Sequence, residues 1–423
     1  MGRRIPQGER GIRYGLGPNK ANPRMITIDD IHQARERFEN RVTTTPMLRS
    51  HSFSRLSGRE IFLKAENMQR TGSFKIRGAL NVLTRLDGAP VVAASAGNHA
   101  QGVALAAAFA GSPCTVFMPK TAPIPKVKAT GDYGATVKLK GQSLADAVEA
   151  AQIFAEKSGA RFVHPYDDPL VIAGQATLGL EVVEQLPEVG TVVVPTGGGG
   201  LLAGTALAVH GARPQTKVLG VEIEAASVYA ASRKRGTLVR DFPRGLPTVA
   251  DGIAVSVPSD LVWEIIEEHV EELVVVDDEQ TTSALTLILE RSKMLVEPAA
   301  AVGVAALMVK MIPDTAPDPV CIVLSGGNID LLFLGKAVRH GLEASGRFAK
   351  FTLVMTDQPG SLAKILKLIA AEGANVVQVE HHREGFGLPF GKVEIEISVE
   401  TRDADHAAHL AGALAPYSEK NPQ

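Results

Sequence analysis

The stretch Gly72-Ser73-Phe74-Lys75-Ile76-Arg77-Gly78-Ala79-Leu80-Asn81 decides how the rest of the chain is read. Lys75 follows a serine and a phenylalanine and opens an amphipathic helical pattern. A lysine beside an aromatic ring, flanked by small residues, suits an amine that must shed its charge to attack an aldehyde. Removing water from an ammonium lowers its pKa and makes the amine a nucleophile. Alone, the stretch says little, because most lysines are solvated surface residues. Three later segments give it meaning: Ser95-Ala96-Gly97-Asn98-His99, Gly197-Gly198-Gly199-Gly200 and Ser325-Gly326-Gly327-Asn328.

Each of those segments follows an apolar β-type run: Val91–Ala94, Thr191–Val194 and Val320–Leu324. Each precedes a helix-like stretch. A glycine-rich turn between a buried strand and a helix exposes N–H groups at the helix's positive end, a cradle for phosphate or carboxylate. In a parallel sheet such loops gather at the carboxyl ends of the strands, where ligands bind. One such turn is usually just a turn. Three on one chain, with a lysine in a fourth segment, point to a single anionic cofactor site.

The bulk properties bound the alternatives. At 423 residues the chain is long enough for two or three domains. It is 45% hydrophobic and 21% charged, with a formal net charge of -2. That balance implies no basic face for nucleic acid or an anionic membrane. No apolar run reaches transmembrane length, and the N-terminus lacks the apolar segment of a signal peptide. Cys114 and Cys321, the only cysteines, sit in apolar runs and read as buried reduced thiols. A cytoplasmic enzyme fits all of this.

Residues 1–24 are rich in Gly, Arg and Pro without apolar period, and read as a disordered tail. A sharper reading makes Met25 the natural start, with Thr27 capping a helix that carries Asp29 and Asp30 in its first turn; a mitochondrial-type targeting segment is a third reading, against which the glycines and prolines argue. Residues 25–345 alternate short Val/Ile/Ala strands with Ala/Leu-rich helices, the pattern of an α/β fold with a largely parallel sheet. A smaller subdomain is expected over roughly 70–165. Composition changes near Gly346. From 349 to 423 the order strand, helix, strand, strand, helix is that of a ferredoxin-like α+β unit. No apolar fourth strand is visible after the Asp403–Leu414 stretch.

The order SFKIRGALN, SAGNHAQG, PTGGGGLLAG and LSGGN resembles the threonine dehydratase branch of the fold type II (tryptophan synthase β-like) pyridoxal-phosphate enzymes. Thr248-Val249-Ala250-Asp251-Gly252 and Glu297-Pro298-Ala299-Ala300 match that branch too. The Asp357-Gln358-Pro359-Gly360-Ser361-Leu362 turn resembles an ACT regulatory domain. A small dimerisation domain without a ligand is the plainer reading of that unit.

The resemblance implies pyridoxal 5'-phosphate, with Lys75 as the lysine that bonds its aldehyde and then removes the substrate's α-proton. It implies Phe74 over one cofactor face, although core packing accounts for Phe74 equally. Gly197, Gly198, Gly199 and Gly200 would hold the phosphate. Asn98 would meet the phenolic oxygen, and Ser325 the pyridine nitrogen. Ser325 alone reads as a helix N-cap. Ser95, Gly97, Asn98 and His99 would receive the substrate carboxylate. Asp357, Gly360, Ser361, Leu362 and Asn375 would bind a branched-chain amino-acid effector.

Two departures narrow the reading. Serine racemases of this family place a serine where Ala96 stands, as a second acid–base. Their cation site is matched by Glu222 but not by Val228, so no metal is expected. The implied activity is dehydration and deamination of L-threonine to 2-oxobutanoate and ammonia, with action on L-serine, in a homodimer or homotetramer. A dehydratase for serine or 3-hydroxyaspartate, or an inactive amino-acid sensor, are the alternatives.

Overall fold

The computed structural model describes residues 26–383 and 388–418; the expected tail, 1–24, lies outside them. The first helix runs Ile28–Phe38. The Thr27 hydroxyl accepts from the Asp30 N–H while the Asp30 carboxylate accepts from the Thr27 N–H. This reciprocal cap satisfies two donors that a helix start otherwise strands.

Among the described residues, ten strands build the larger part of the chain: β1 (Met47–Arg49), β2 (Ile61–Ala65), β3 (Val91–Ala94), β4 (Cys114–Met118), β5 (Thr136–Leu139), β6 (Arg161–Phe162), β7 (Thr191–Pro195), β8 (Lys217–Ile223), β9 (Glu272–Val276) and β10 (Val320–Leu324). They form two sheets. One is four-stranded, in the order β5-β4-β3-β6; the other is six-stranded, in the order β1-β2-β10-β7-β8-β9. All pairings are parallel except β1 with β2. Strands β3, β7 and β10 are buried along their whole length. That is why they read as unbroken Val/Ile/Ala runs rather than alternating ones. Because β10 lies directly beside β7, the chain leaves Leu324 and Pro195 at the same edge.

The helix Lys75–Leu83 packs between the helices Asn98–Ala110 and Pro169–Gln185. Glycines let these backbones touch. A Cβ on Gly102 would stand 3.0 Å from the Lys75 carbonyl carbon, and one on Gly174 would stand 2.6 Å from the Arg77 carbonyl oxygen. On the same helix Arg77 is wholly buried. Its guanidinium donates to Glu66 at 2.8 Å, to Glu181 at 2.7 Å and to Thr177 at 3.1 Å. Lys64, also buried, donates to Glu181 at 2.6 Å and to the Thr45 carbonyl at 2.7 Å. Burial alone would push Glu66 up, but Arg77 beside it brings its pKa below the ordinary carboxylate value. Two acids and two bases therefore close on one another under the helix that carries Lys75.

The C-terminal sheet comprises β11 (Phe348–Thr356), β12 (Asn375–His382) and β13 (Lys392–Glu400), in the antiparallel order β11-β13-β12. Helices Ser361–Ala371 and Ala404–Leu414 cover one face over Leu353, Ile365, Ile369, Ile395, Ile397 and Leu410. The expected strand, helix, strand, strand, helix order is present. Among the described residues the sheet stops at three strands, and a short turn, Ala415–Tyr417, follows the last helix. No helix among the described residues is long and apolar enough to cross a membrane.

The ion network generates a stability prediction. Arg77→Met leaves the Glu66 and Glu181 carboxylates buried without their main partner, a loss of about 3–5 kcal/mol. Urea denaturation of the variant is expected to show a clearly lowered midpoint, partly recovered by adding Glu66→Gln. A wild-type midpoint for Arg77→Met would contradict this account of the network.

Candidate active site

Lys75 is the first residue of its helix, and Phe74 occupies the cap position. A helix's positive end disfavours an added positive charge. The Lys75 amine donates to the Pro165 carbonyl at 3.1 Å and lies 5.0 Å from the centre of the Phe74 ring. Burial brings its pKa down to about 8, against a smaller upward pull from Glu297. The amine is thus partly neutral near physiological pH, as the sequence reading required. Phe74 also packs against the hydrophobic core cluster that includes Cys321 and Val323 of β10.

The tetraglycine lies between β7 and the helix Gly200–Ala212, which has no side-chain cap. The loop needs glycine at Gly197 and Gly199, with φ of 51° and 82°. It also needs glycine for space: a Cβ on Gly198 would fall 2.3 Å from the Tyr166 ring, and one on Gly199 would fall 2.4 Å from Val262. The Gly199 N–H donates to the Thr196 carbonyl at 2.8 Å. Among the described residues the N–H groups of Gly197, Gly198 and Gly200 meet no protein acceptor. These N–H groups at a helix start form an anion cradle.

The loop after β3 behaves similarly. Gly97 caps the helix Asn98–Ala110 without a side-chain bond, and the Gly97 N–H donates to the Ser95 hydroxyl at 3.1 Å. The Asn98 amide donates to both Glu297 oxygens, at 2.7 and 3.0 Å. His99 turns its ring inward, with Nε2 2.9 Å from the Val163 carbonyl oxygen. Burial, reinforced by Lys75, pushes its pKa down to about 3. The imidazole is neutral at physiological pH, keeps its one proton on Nε2 for the Val163 carbonyl, and braces the loop. His99 can therefore serve a carboxylate through its backbone N–H, while the side chain is committed elsewhere.

The third loop departs from expectation. It does not cradle an anion at a helix start, because the following helix, Leu331–Ala344, is capped by Asp330. The N-cap reading of Ser325 falls for the same reason. Instead, Gly326 bridges Ser73 in an antiparallel pair, the Phe74 N–H donates to the Ser325 carbonyl at 3.2 Å, and the Gly327 N–H donates to the Gly72 carbonyl at 2.8 Å. This pairing brings the buried Ser325 next to Lys75's own segment. Among the described residues its hydroxyl has no hydrogen-bond partner.

Sequence reasoning missed several site residues. Glu297, buried beside Asn98, is pushed up to about 7 by burial, which its hydrogen bond from Asn98 only partly offsets. The Asn328 amide donates to the Asn98 side-chain oxygen at 2.8 Å and to the Thr71 carbonyl at 2.7 Å. Pro165 and Tyr166 link the lysine to the glycine loop. Glu297 and Asn328 stood in quoted motifs and could have been singled out; the segment from His164 to Asp167 carried no sequence signal.

The effector residues do not all meet. The turn Asp357–Gly360 follows Thr356, which pairs with Lys392, while Asn375 pairs with Glu400. Those two positions are opposite ends of β13, ~25 Å apart at about 3.3 Å per residue. Within one chain Asn375 therefore cannot face the turn, and its amide is bonded to Glu400 at 3.1 Å. In the turn, the N–H groups of Asp357, Gln358 and Ser361 are spent on carbonyls of Gly391, Thr356 and Gln358. Glu222 spends its carboxylate on the N–H groups of Tyr229 and Ala230, at 3.0 and 2.7 Å, next to Val228.

Residues 39–326 match the family described as pyridoxal-phosphate dependent enzyme, and the chain belongs to that family. It is 45% identical over 394 residues to a protein of Thermotoga maritima named L-threonine ammonia-lyase, covering 92% of this chain and 97% of the relative. The solved structure of the processed form of threonine deaminase isoform 2 from Solanum lycopersicum superposes with a TM-score of 0.68 at 31% identity, covering 74% of this chain and 93% of that one. The maize serine racemase superposes with a TM-score of 0.70 at 34% identity, over 75% of this chain and 98% of that one. The free N–H groups of the glycine loop and the dehydrated amine of Lys75 fit the phosphate and the aldehyde of pyridoxal phosphate.

The lowered pKa of Lys75 has a direct consequence. The neutral amine is the form that attacks an aldehyde, and it is populated above the pKa. Borohydride trapping of pyridoxal phosphate on the apoenzyme is expected to rise with pH through about 8 and to level off above it. A midpoint at the ordinary lysine value of 10.5 would mean that Lys75 is solvated.

Proposed function

We propose that this chain is a threonine ammonia-lyase, converting L-threonine to 2-oxobutanoate and ammonia, with side activity on L-serine. The observation that carries the reading is Lys75: a partly neutral amine beside a cradle of free N–H groups, in a chain of this family. The 45% identity to the Thermotoga maritima protein named L-threonine ammonia-lyase supports the choice of substrate. When bound, pyridoxal phosphate supplies an aldehyde for the substrate nitrogen and an electron sink that acidifies the α-carbon.

The chain's own residues do the rest. The Lys75 amine removes the α-proton, which requires it to be neutral at working pH. Gly197, Gly198 and Gly200 would hold the phosphate through N–H groups and the helix dipole. Phe74, whose ring centre lies 5.0 Å from the Lys75 amine, would cover one face of the ring. Asn98, held by Glu297 and Asn328, would meet the phenolic oxygen by turning over to it one of the two amide hydrogens that it gives to Glu297. Ser325 would offer a hydroxyl, not a carboxylate, to the ring nitrogen, which would favour loss of a β-leaving group over transamination. The Ser95 and Gly97 N–H groups are spent on the Phe117 carbonyl and the Ser95 hydroxyl, so the Asn98 and His99 N–H groups and the Ser95 hydroxyl would take the substrate carboxylate. Water leaves from the β-carbon and water returns to hydrolyse the released product, so the net loss is ammonia.

The C-terminal unit serves as an ACT-like regulatory module in this reading. It would bind a branched-chain amino acid at Asp357, Gly360, Ser361 and Leu362, in a homodimer or homotetramer. Support comes from the helix start after Gly360, a residue with φ of 92°, where the Leu362 N–H faces no backbone acceptor among the described residues. A cytoplasmic setting belongs to the same reading, supported by the buried free thiols of Cys114 and Cys321.

A keto-acid assay across threonine, serine and 3-hydroxyaspartate, with and without isoleucine or valine, tests the reading. Threonine is expected to show the highest kcat/KM, and Lys75→Ala is expected to lose more than about a thousandfold. A clear preference for hydroxyaspartate, or near-normal Lys75→Ala activity, would overturn it.

The serine racemase neighbour favours a second, serine-directed activity in one variant. Ala96 supplies no hydroxyl to return a proton. Ala96→Ser is expected to give detectable D-serine by chiral chromatography while dehydration continues. If only keto acid forms, Ala96 is not what separates the two chemistries.

A further inference from the structure

Four consecutive glycines can cradle a phosphate only if something stops their peptides from rotating, because no Cβ restrains them. The peptide joining Gly198 to Gly199 lies at the centre of the loop. Its N–H, that of Gly199, is tied to the Thr196 carbonyl at 2.8 Å. Its carbonyl oxygen, that of Gly198, accepts from the Tyr229 hydroxyl at 3.2 Å. Tyr229 lies outside every motif that the sequence singled out.

Tyr229 is built to hold that bond. It is fully buried, and its ring stacks on Trp263 with centres 6.4 Å apart and planes 10° apart. Its own N–H is held by Glu222 at 3.0 Å. Its hydroxyl oxygen accepts from the Ser259 N–H at 3.2 Å, which leaves the O–H free to donate to Gly198. The Ser259 hydroxyl donates to Asp167 at 2.5 Å. Asp167 is two residues beyond Pro165, whose carbonyl receives the Lys75 amine. The Tyr166 hydroxyl donates to the Val257 carbonyl at 2.8 Å, so two tyrosines reach the same short segment.

We propose that Tyr229 is a positioning residue for cofactor phosphate: its hydroxyl locks the Gly198–Gly199 peptide and so aims the Gly198 and Gly200 N–H groups at the anion. This rests on the reading of the tetraglycine as the phosphate loop. Tyr229 touches neither the cofactor nor the substrate. It acts through Gly198, and Ser259 and Asp167 connect its anchor to the segment that holds Lys75. Removing the hydroxyl leaves the Gly198 carbonyl buried without its donor, an effect on the order of tenfold in an equilibrium constant.

The test compares Tyr229→Phe with wild type, each stripped of cofactor and then titrated with pyridoxal phosphate and with pyridoxal. For the variant, the Kd for pyridoxal phosphate is expected to rise roughly tenfold while that for pyridoxal stays within about twofold. The 31P resonance of the bound cofactor should shift. At saturating cofactor, kcat and the KM for threonine should stay near wild type, while the melting temperature of the apoenzyme should fall by a few degrees, because the Gly198 carbonyl and the Ser259 N–H each lose a partner. Ser259→Ala, which cuts the tie to Asp167 but keeps the N–H to Tyr229, should give a smaller change of the same kind. An unchanged Kd and 31P signal in Tyr229→Phe would overturn the proposal, as would an equal loss of affinity for both compounds. If wild type itself binds pyridoxal as tightly as pyridoxal phosphate, the phosphate-loop reading fails instead.

Discussion

An ammonium group kept from water at the positive end of a helix is the constraint on which this architecture turns. Lys75 can act as a nucleophile and a base only if dehydration outweighs its attraction to nearby acids. The acid that pulls on it is Glu297, and burial raises the pKa of that group too, to about 7. A fully ionised carboxylate there would pull Lys75 back toward the charged state. Asn98 partly stabilises the ionised form of Glu297 with two hydrogen bonds, and Asn328 in turn holds Asn98. Burial thus sets the lysine's reactivity, and Glu297, which never bonds to it, adjusts it.

Dehydration is useful only if the amine stays in place. The Lys75 backbone is wedged against Gly102, and two residues on, Arg77 is locked by Glu66, Glu181 and Thr177. Such a buried network contributes little net stability relative to apolar packing, but breaking it costs much. Its value here is geometric. It ties the helix to Glu66, Glu181 and Thr177 two residues on from the lysine whose amine meets Pro165. Apolar contacts alone would tolerate small slips of the helix.

The site gathers loops from both sheets. The β3 loop comes from the four-stranded sheet; the β7 and β10 loops come from adjacent strands of the six-stranded one. The His164–Asp167 segment crosses between them, receiving Lys75 through Pro165 and packing Tyr166 on Gly198. The C-terminal sheet stands apart from this chemistry. Any influence it has on the site must come from a difference in effector affinity between two states of the protein.

Much of the fold and part of the site were legible in the chain itself. The buried β3, β7 and β10 runs are long, apolar and bracketed by glycine, so local pattern and final environment agree. Lys75, the tetraglycine and the Asn98 loop stood out in the sequence because each reading needs a particular residue type at a helix start, for the two loops directly after a strand. The roles of Ser325, His99 and Asn375 could not be read the same way. Ser325 belongs to a bridge with Ser73's segment, more than two hundred residues away in sequence; His99 turns to Val163; Asn375, in β12, pairs with the end of β13 far from the turn. Local sequence determines which backbone conformations are cheap and which faces must be buried. Which carbonyl a buried side chain finds, and how much water remains around an amine, depends on segments that meet only when the sheets close, and only the tertiary structure decides that.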